Sequence, residues 1–177
     1  MHEVPCAVVD PRLLGKVVAA ERIESLLDGG DRLRQAMGGA AVVCVNSTAT
    51  GGGVAEMLQV LLPYVRGAGI DARWLVIEAD EQFFAITKRL HNHLHGVEGD
   101  GGPLGAEEHR HYKAVLQRNA AQLAAAVRPG DVVLLHGTCQ SEAYRILPAM
   151  ERLLQREPNS SHGCDGRGRR GVSCAAC

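Results

Sequence analysis

Apolar residues along this chain fall into short continuous runs, separated by longer stretches in which they recur every three or four positions. The runs 41–45 (A-V-V-C-V), 72–77 (A-R-W-L-V-I) and 131–136 (D-V-V-L-L-H) have the length of strands and, in their valines and isoleucine, the composition of strands buried on both faces of a parallel sheet. Residues 106–127 carry the clearest helical period, with Tyr112, Val115, Leu116, Leu123 and Val127 on one face and Arg128-Pro129-Gly130 as the stop. Residues 54–66 are also helical, and Pro63 predicts a kink or an early end there. Asp80 is placed as the N-cap of a helix over 80–94, whose apolar face carries Phe83, Phe84, Ile86, Leu90 and Leu94. In 19–37 the helical pattern is broken by Asp28-Gly29-Gly30-Asp31, which predicts two pieces or one interrupted helix. The glycine-rich stretch 97–105 reads as a loop.

Strands alternating with long amphipathic helices specify βαβ units. The expected class is α/β, a Rossmann-like three-layer parallel sheet. The expected organisation is a helical lead over 1–37, the Rossmann-like domain over 38–157 with a last helix at 141–157, and a tail over 158–177. That tail (P-N-S-S-H-G-C-D-G-R-G-R-R-G-V-S-C-A-A-C) has no apolar periodicity and is expected to be disordered.

The junction after the first strand, N-S-T-A-T-G-G-G-V-A-E at 46–56, holds the most chemistry. Asn46 to Thr50 are small residues, most with a hydrogen-bonding side chain, and Gly51, Gly52 and Gly53 remove three β-carbons in succession, allowing φ > 0 and close approach of a ligand. A helix beginning at Val54 aims free N–H groups and the positive end of its dipole at that loop, a seat for an anionic or polyhydroxyl ligand. A phosphate-binding P-loop needs Lys and Ser/Thr after its last glycine, where this chain has Val54 and Ala55. A dinucleotide fingerprint meets Glu56 at its third glycine, although Glu78, ending the second strand, sits where a ribose hydroxyl would be held, so an NAD-binding module stays open. A tight strand-to-helix turn that binds nothing is the plain structural alternative.

Composition narrows the classes further. A formal net charge of -1 gives no ground for a nucleic-acid or acidic-membrane partner. No apolar run approaches the ~20 residues of a membrane span and the N-terminus lacks a signal-peptide pattern, so the expected location is the cytoplasm. Two Phe, three Tyr and one Trp leave the core to Leu, Val and Ala. Cys174-x-x-Cys177 near His162 is half of a zinc pattern without its second pair, and His91, His93 and His95 cannot converge on one ion from a helix, so no metal is expected.

The segments N-S-T-A-T-G-G-G-V-A-E-M-L at 46–58, L-L-P-Y-V-R-G-A-G-I-D-A-R-W-L-V-I at 61–77, E-Q-F-F-A-I-T-K-R-L-H-N at 81–92 and D-V-V-L-L-H at 131–136 resemble the N-terminal half of the trehalose-synthesising glycosyltransferases. These are retaining, GT-B type enzymes that join a nucleotide-activated glucose to glucose. The resemblance runs from about residue 38 to 136. It implies the N-terminal, acceptor half of a GT-B fold, with a sugar acceptor and a nucleotide-sugar donor as partners, the nucleotide-glucose as co-substrate and no resident cofactor. It implies that Gly51, Gly52 and Gly53 lie against the donor phosphates or the reacting sugar, with Asn46, Ser47 and Thr48 giving polar contacts. Glu56 is a further candidate contact; so are Lys88, His91 and Asn92, in the family's T-K-x-x-H-N segment, and His136, at the carboxyl edge of the third strand. After His136 the chain reads Gly137-Thr138-Cys139-Gln140 where the family has D-P-Q. No two glutamates stand eight apart, as the pair in the family's donor domain does, so a chain lacking that domain and inactive alone is expected. A non-catalytic remnant is the alternative, and the oligomeric state is left open, a homodimer included.

Overall fold

The computed structural model describes residues 1–136. The elements are β1 (His2–Val4), a 3-10 helix (Pro11–Lys16), α1 (Ala20–Met37), β2 (Val42–Asn46), α2 (Gly53–Gly67), β3 (Ala72–Val76), α3 (Glu81–Leu94), α4 (Ala106–Ala126) and β4 (Val132–Leu135). The expected helix at 141–157 and the tail at 158–177 lie outside the described residues.

The sheet has the order β1-β3-β2-β4. β2 pairs in parallel with β3, Cys44 opposite Trp74, and with β4, Cys44 opposite Leu134. The fully parallel sheet expected from sequence needs one correction: β1 runs antiparallel to β3, with His2 opposite Val76. Three short, largely polar residues carry no period of their own, and this strand exists through its pairing with β3.

Alternate side chains of the strands enter two separate cores. Val43, Val45, Leu75, Ile77, Val133 and Leu135 pack with Phe83, Ile86, Tyr112, Val115, Leu116 and Leu123 of α3 and α4. Cys44, Ala72, Trp74 and Val76 pack on the other face with Ala55, Leu58 and Leu62 of α2. The result is the expected three-layer α/β arrangement, consistent with a Rossmann-like half-domain. Burial on both faces explains the unbroken apolar runs.

The 19–37 segment corrects a second expectation, because α1 is a single helix through Gly29 and Gly30. A β-carbon on Gly30 would come within 3.2 Å of the Ala68 side chain, so this glycine marks a close helix–helix approach and not a break. α2 likewise continues past Pro63 to Gly67 and is not cut short there; Val9 donates its amide to the Pro63 carbonyl at 3.0 Å. Asp80 caps α3 as expected, accepting from the Phe83 amide at 2.8 Å. The same carboxylate meets His111 Nε2 at 2.8 Å, and the Phe83 amide followed by His111 holds its pKa below the ordinary value.

Asn119, fully buried, fixes the exit of β3: its Oδ1 accepts from the Glu78 amide and its Nδ2 donates to the Glu78 carbonyl, both at 2.9 Å. Phe83 stacks on Tyr112 at 5.3 Å, while Leu90 and Leu94 further along α3 lie beside Leu104 and Glu108, so α3 runs antiparallel to α4 and leads away from the sheet. From Ala106 to Asn119, α4 therefore extends about 20 Å past the end of β3, at 1.5 Å per residue. The loop between the helices is tied down by Arg89, which pairs with Asp100 at 2.6 Å and donates to the Pro103 carbonyl. That guanidinium holds Asp100 down to a pKa of about 2. No helix among the described residues is long and apolar enough to cross a membrane.

Candidate functional site

β2 sends its chain through α2 to β3 on one side, while β4 lies on its other side after a crossover through α3 and α4. The carboxyl ends of β2 and β4 therefore flank the point where the direction of winding reverses, which is where open α/β sheets bind ligands. The glycine loop leaves β2 there, and His136 leaves β4 there, its amide donating to the Val45 carbonyl at 2.7 Å.

Gly51 and Gly52 have φ of 74° and 85°, values that L side chains rarely adopt. Gly53 has an ordinary φ and opens α2. A β-carbon on any of the three would meet nothing within 4 Å. Packing thus accounts for none of these glycines, and backbone conformation accounts for only two. No hydrogen bond engages the amides of Gly51, Gly52, Gly53, Val54 or Ala55 among the described residues; the first helical bond of α2 runs from the Glu56 amide to the Gly52 carbonyl at 3.2 Å. No side chain caps this helix. Unbonded N–H groups at the positive end of a helix dipole, with Gly51 to Gly53 exposed and Ala55 buried behind them, are an anion seat in physical terms.

The polar residues before the glycines are used differently from one another. Asn46 is 5% exposed and turned inward: its Oδ1 accepts from Trp74 Nε1 and its Nδ2 donates to the Thr48 carbonyl, both at 2.7 Å. Thr48 folds its hydroxyl back, donating to the Thr50 carbonyl at 2.6 Å and accepting from the Thr50 amide. Ser47 is exposed, with no bond to another described residue. Glu56 is exposed in the first turn of α2 and also borders an apolar groove formed with Leu26, Met57 and Leu61.

His136 is half-buried, and its Nε2 is buried without a hydrogen-bond partner among the described residues. Burial alone pushes its pKa below the ordinary histidine value, so the neutral imidazole is favoured, with a lone pair or an N–H to offer a ligand. Lys88, His91 and Asn92 lie on α3, in the hairpin that extends past the sheet, and no hydrogen bond or ion pair joins them to the loop or to His136. Among the described residues the structure thus gathers Ser47, Thr48, Gly51, Gly52, Gly53 and His136 at one edge of the sheet, and it does not join Lys88, His91 or Asn92 to them.

The metal-ligand geometry of the histidines follows the helical spacing: the rings of His91 and His95 stand 4.4 Å apart, and no group of three or more metal-ligating side chains assembles among the described residues. Cys174 and Cys177 lie outside them.

A family profile described as the N-terminal domain of trehalose synthase matches residues 44–156. The chain belongs to the trehalose synthase N-terminal domain family. The match continues 20 residues beyond His136, so the change from the family's D-P-Q does not end it. The trehalose synthase of Rubrobacter xylanophilus is 36% identical over 120 residues, 68% of this chain and 27% of that protein. The trehalose synthase of Pyrococcus horikoshii is 43% identical over 82 residues, 46% of this chain and 19% of that protein. A trehalose phosphorylase of Pleurotus pulmonarius is 32% identical over 90 residues, 49% of this chain and 12% of that protein. The chain spans about a quarter of the length of the trehalose synthases it matches. Membership of this family, like the α/β fold, agrees with the expectation from sequence.

The sequence did not single out Trp74 and Gln59. Gln59 donates from Nε2 to the Ala49 carbonyl at 2.9 Å, and Trp74 reaches Asn46 across 28 residues of chain. Neither contact has a local sequence signal.

Proposed function

We propose that this domain supplies one wall of a sugar-transfer site, with the loop from Ser47 to Gly53 and the start of α2 seating the phosphates of a nucleotide-glucose or the sugar attached to them. The observation that carries the reading is Gly53: an ordinary φ and open space above it leave ligand approach as the physical reason for the missing side chain. Family membership, with relatives named for making or cleaving trehalose, supports glucose as the sugar.

In such a transfer the bond from glucose C1 to the diphosphate breaks as an acceptor hydroxyl oxygen bonds to C1; negative charge collects on the departing diphosphate, which takes up the hydroxyl proton. The amides of Gly51 to Ala55, which have no partner among the described residues, are held in place before the reaction begins, so they meet that charge without reorganising. His136, neutral at the end of β4, contacts a sugar or phosphate oxygen from the other side of the crevice. Lys88, His91 and Asn92 border the opening from α3. Transfer also needs a second wall that holds the donor against the acceptor and excludes water. We therefore expect no turnover from the purified 177-residue chain.

The test is a titration of that chain with uridine and adenosine diphosphoglucose, glucose and NAD, followed by backbone amide NMR. A nucleotide-glucose should shift residues 51–55 and 136, and Gly52→Val should abolish the shifts. Shifts from NAD alone would establish the dinucleotide module in its place, and silence from every ligand would refute the reading. Trehalose formed by the isolated chain would overturn the one-wall account.

A further inference from the structure

The glycine loop has no side-chain cap and three residues without a β-carbon, a composition that favours disorder. It is nevertheless tied to the body of the domain at two points. On the inner side, the buried indole of Trp74 donates to Asn46 Oδ1 and Asn46 passes the connection on to the Thr48 carbonyl, each bond 2.7 Å. Trp74 is 1% exposed and is embedded among Leu58, Leu62 and Ala55 of α2, so the anchor is rooted in the same core that positions the helix. On the outer side, Gln59, two turns into α2, reaches back to the Ala49 carbonyl at 2.9 Å. Between these points Thr48 and Thr50 close a small turn. Two carbonyls of the loop, those of Thr48 and Ala49, are thereby tied to the protein.

We propose that Trp74 and Gln59 are positioning residues that hold the loop in its ligand-ready shape. The idea rests on the reading of the loop as the ligand seat, but the ordering of the loop is separable from the ligand. A buried tryptophan usually finds a partner for its N–H, and packing alone would be served by any acceptor. Here the acceptor is the one residue that joins the strand to the loop. Gln59 is exposed and contributes nothing to either core, so its bond to Ala49 is hard to ascribe to stability of the fold.

The experiment compares the full 177-residue chain with Gln59→Met, which keeps the length of the side chain and removes its donor, and with Trp74→Phe, which keeps an aromatic ring and removes the N–H. Amide hydrogen exchange is followed without ligand. Exchange at the Thr50 amide, which shares a peptide unit with the Ala49 carbonyl and is the one amide of 47–53 with a hydrogen bond among the described residues, should accelerate about tenfold or more in both variants. In Gln59→Met, Cys44 and Leu75 should exchange at the wild-type rate, which separates loosening of the loop from loss of fold. Uridine diphosphoglucose affinity, read by calorimetry, should fall five- to tenfold in Gln59→Met. Unchanged exchange at Thr50 in Gln59→Met would overturn the proposal, as would faster exchange with unchanged affinity in a protein that binds the nucleotide-sugar. Faster exchange in a chain that binds no nucleotide-sugar would uphold the anchoring and refute the ligand reading alone.

Discussion

At the amino edge of the sheet, Asp131 accepts from the Ala41 amide at 2.7 Å and from the Arg128 amide at 2.8 Å, and Arg128 spans from Asp131 to Asp71, whereas at the carboxyl edge five successive amides and a buried imidazole nitrogen have no partner among the described residues. Both edges join the same strands over the same two cores. The Asp131 side chain is 1% exposed; burial alone would raise its pKa, yet the two amides and the Arg128 guanidinium hold it below the ordinary value. The contrast teaches where the fold is secured and where it is left open. Polar groups next to a core are normally satisfied, and an edge that leaves them free gives up stability in exchange for the capacity to bind.

The largest effect expected from disturbing this contrast is at the closed edge. Asp131→Ala strips the acceptor from two backbone amides and should cost about 2–4 kcal/mol, measured by urea unfolding. The ligand response of the folded fraction should be unchanged; a loss of binding equal to that of Gly52→Val would erase the distinction between the edges.

At the open edge the sign should reverse. His136→Phe replaces a buried nitrogen that has no partner among the described residues with an apolar ring and should raise stability by about 1 kcal/mol while weakening nucleotide-sugar binding. Destabilisation with binding intact would mean that His136 serves the fold.

Acid should act on both edges in different ranges. The folded pKa of His136 is depressed, so the unfolded chain takes up protons first, and stability should decline as pH falls below about 6.5; this part of the decline should vanish in His136→Phe. Asp131 is also depressed, and its contribution, present above about pH 4, should be lost only as pH falls further, through its folded pKa. Denaturant midpoints measured from pH 8 to 3 would resolve the two ranges, and a single smooth decline in His136→Phe identical to wild type would contradict the assignment.

The smallest effect is the most discriminating. Gly53→Ala adds one β-carbon in open space at an ordinary helical φ, which should raise stability by about 0.5–1 kcal/mol and yet impair ligand binding. A variant that gains stability and binds as well as wild type would return the loop to a plain turn.

Much of this architecture was legible in the sequence because burial on both faces writes itself as continuous apolar runs. β2, β3 and β4 fall within one residue of the runs at either end, and the cap at Asp80 is a local signal that survives folding. What escaped was set by distant contacts. Gly29-Gly30 looks like a break until Ala68 is seen against Gly30, and β1 has no pattern apart from β3. At the site, the glycines and His136 were legible as chemistry at a strand end. The sequence assigned Asn46 a ligand contact, yet its amide is turned to Trp74 and Thr48, a difference that depends on a tryptophan from the neighbouring strand.

The antiparallel strand β1 also bears on how the chain reaches this state in time. Val42 pairs with Ala72, across one helix, but His2 must find Val76, with nearly half the chain between them. Closing that longer loop costs more entropy, and it returns only three paired residues. The β1 segment is thus expected to lock last, after β2, α2 and β3 have formed a template for it. Pulse-labelled hydrogen exchange during refolding should protect Cys44 and Leu75 before Val4, and the reverse order would show that the N-terminal arm helps to nucleate the sheet it borders.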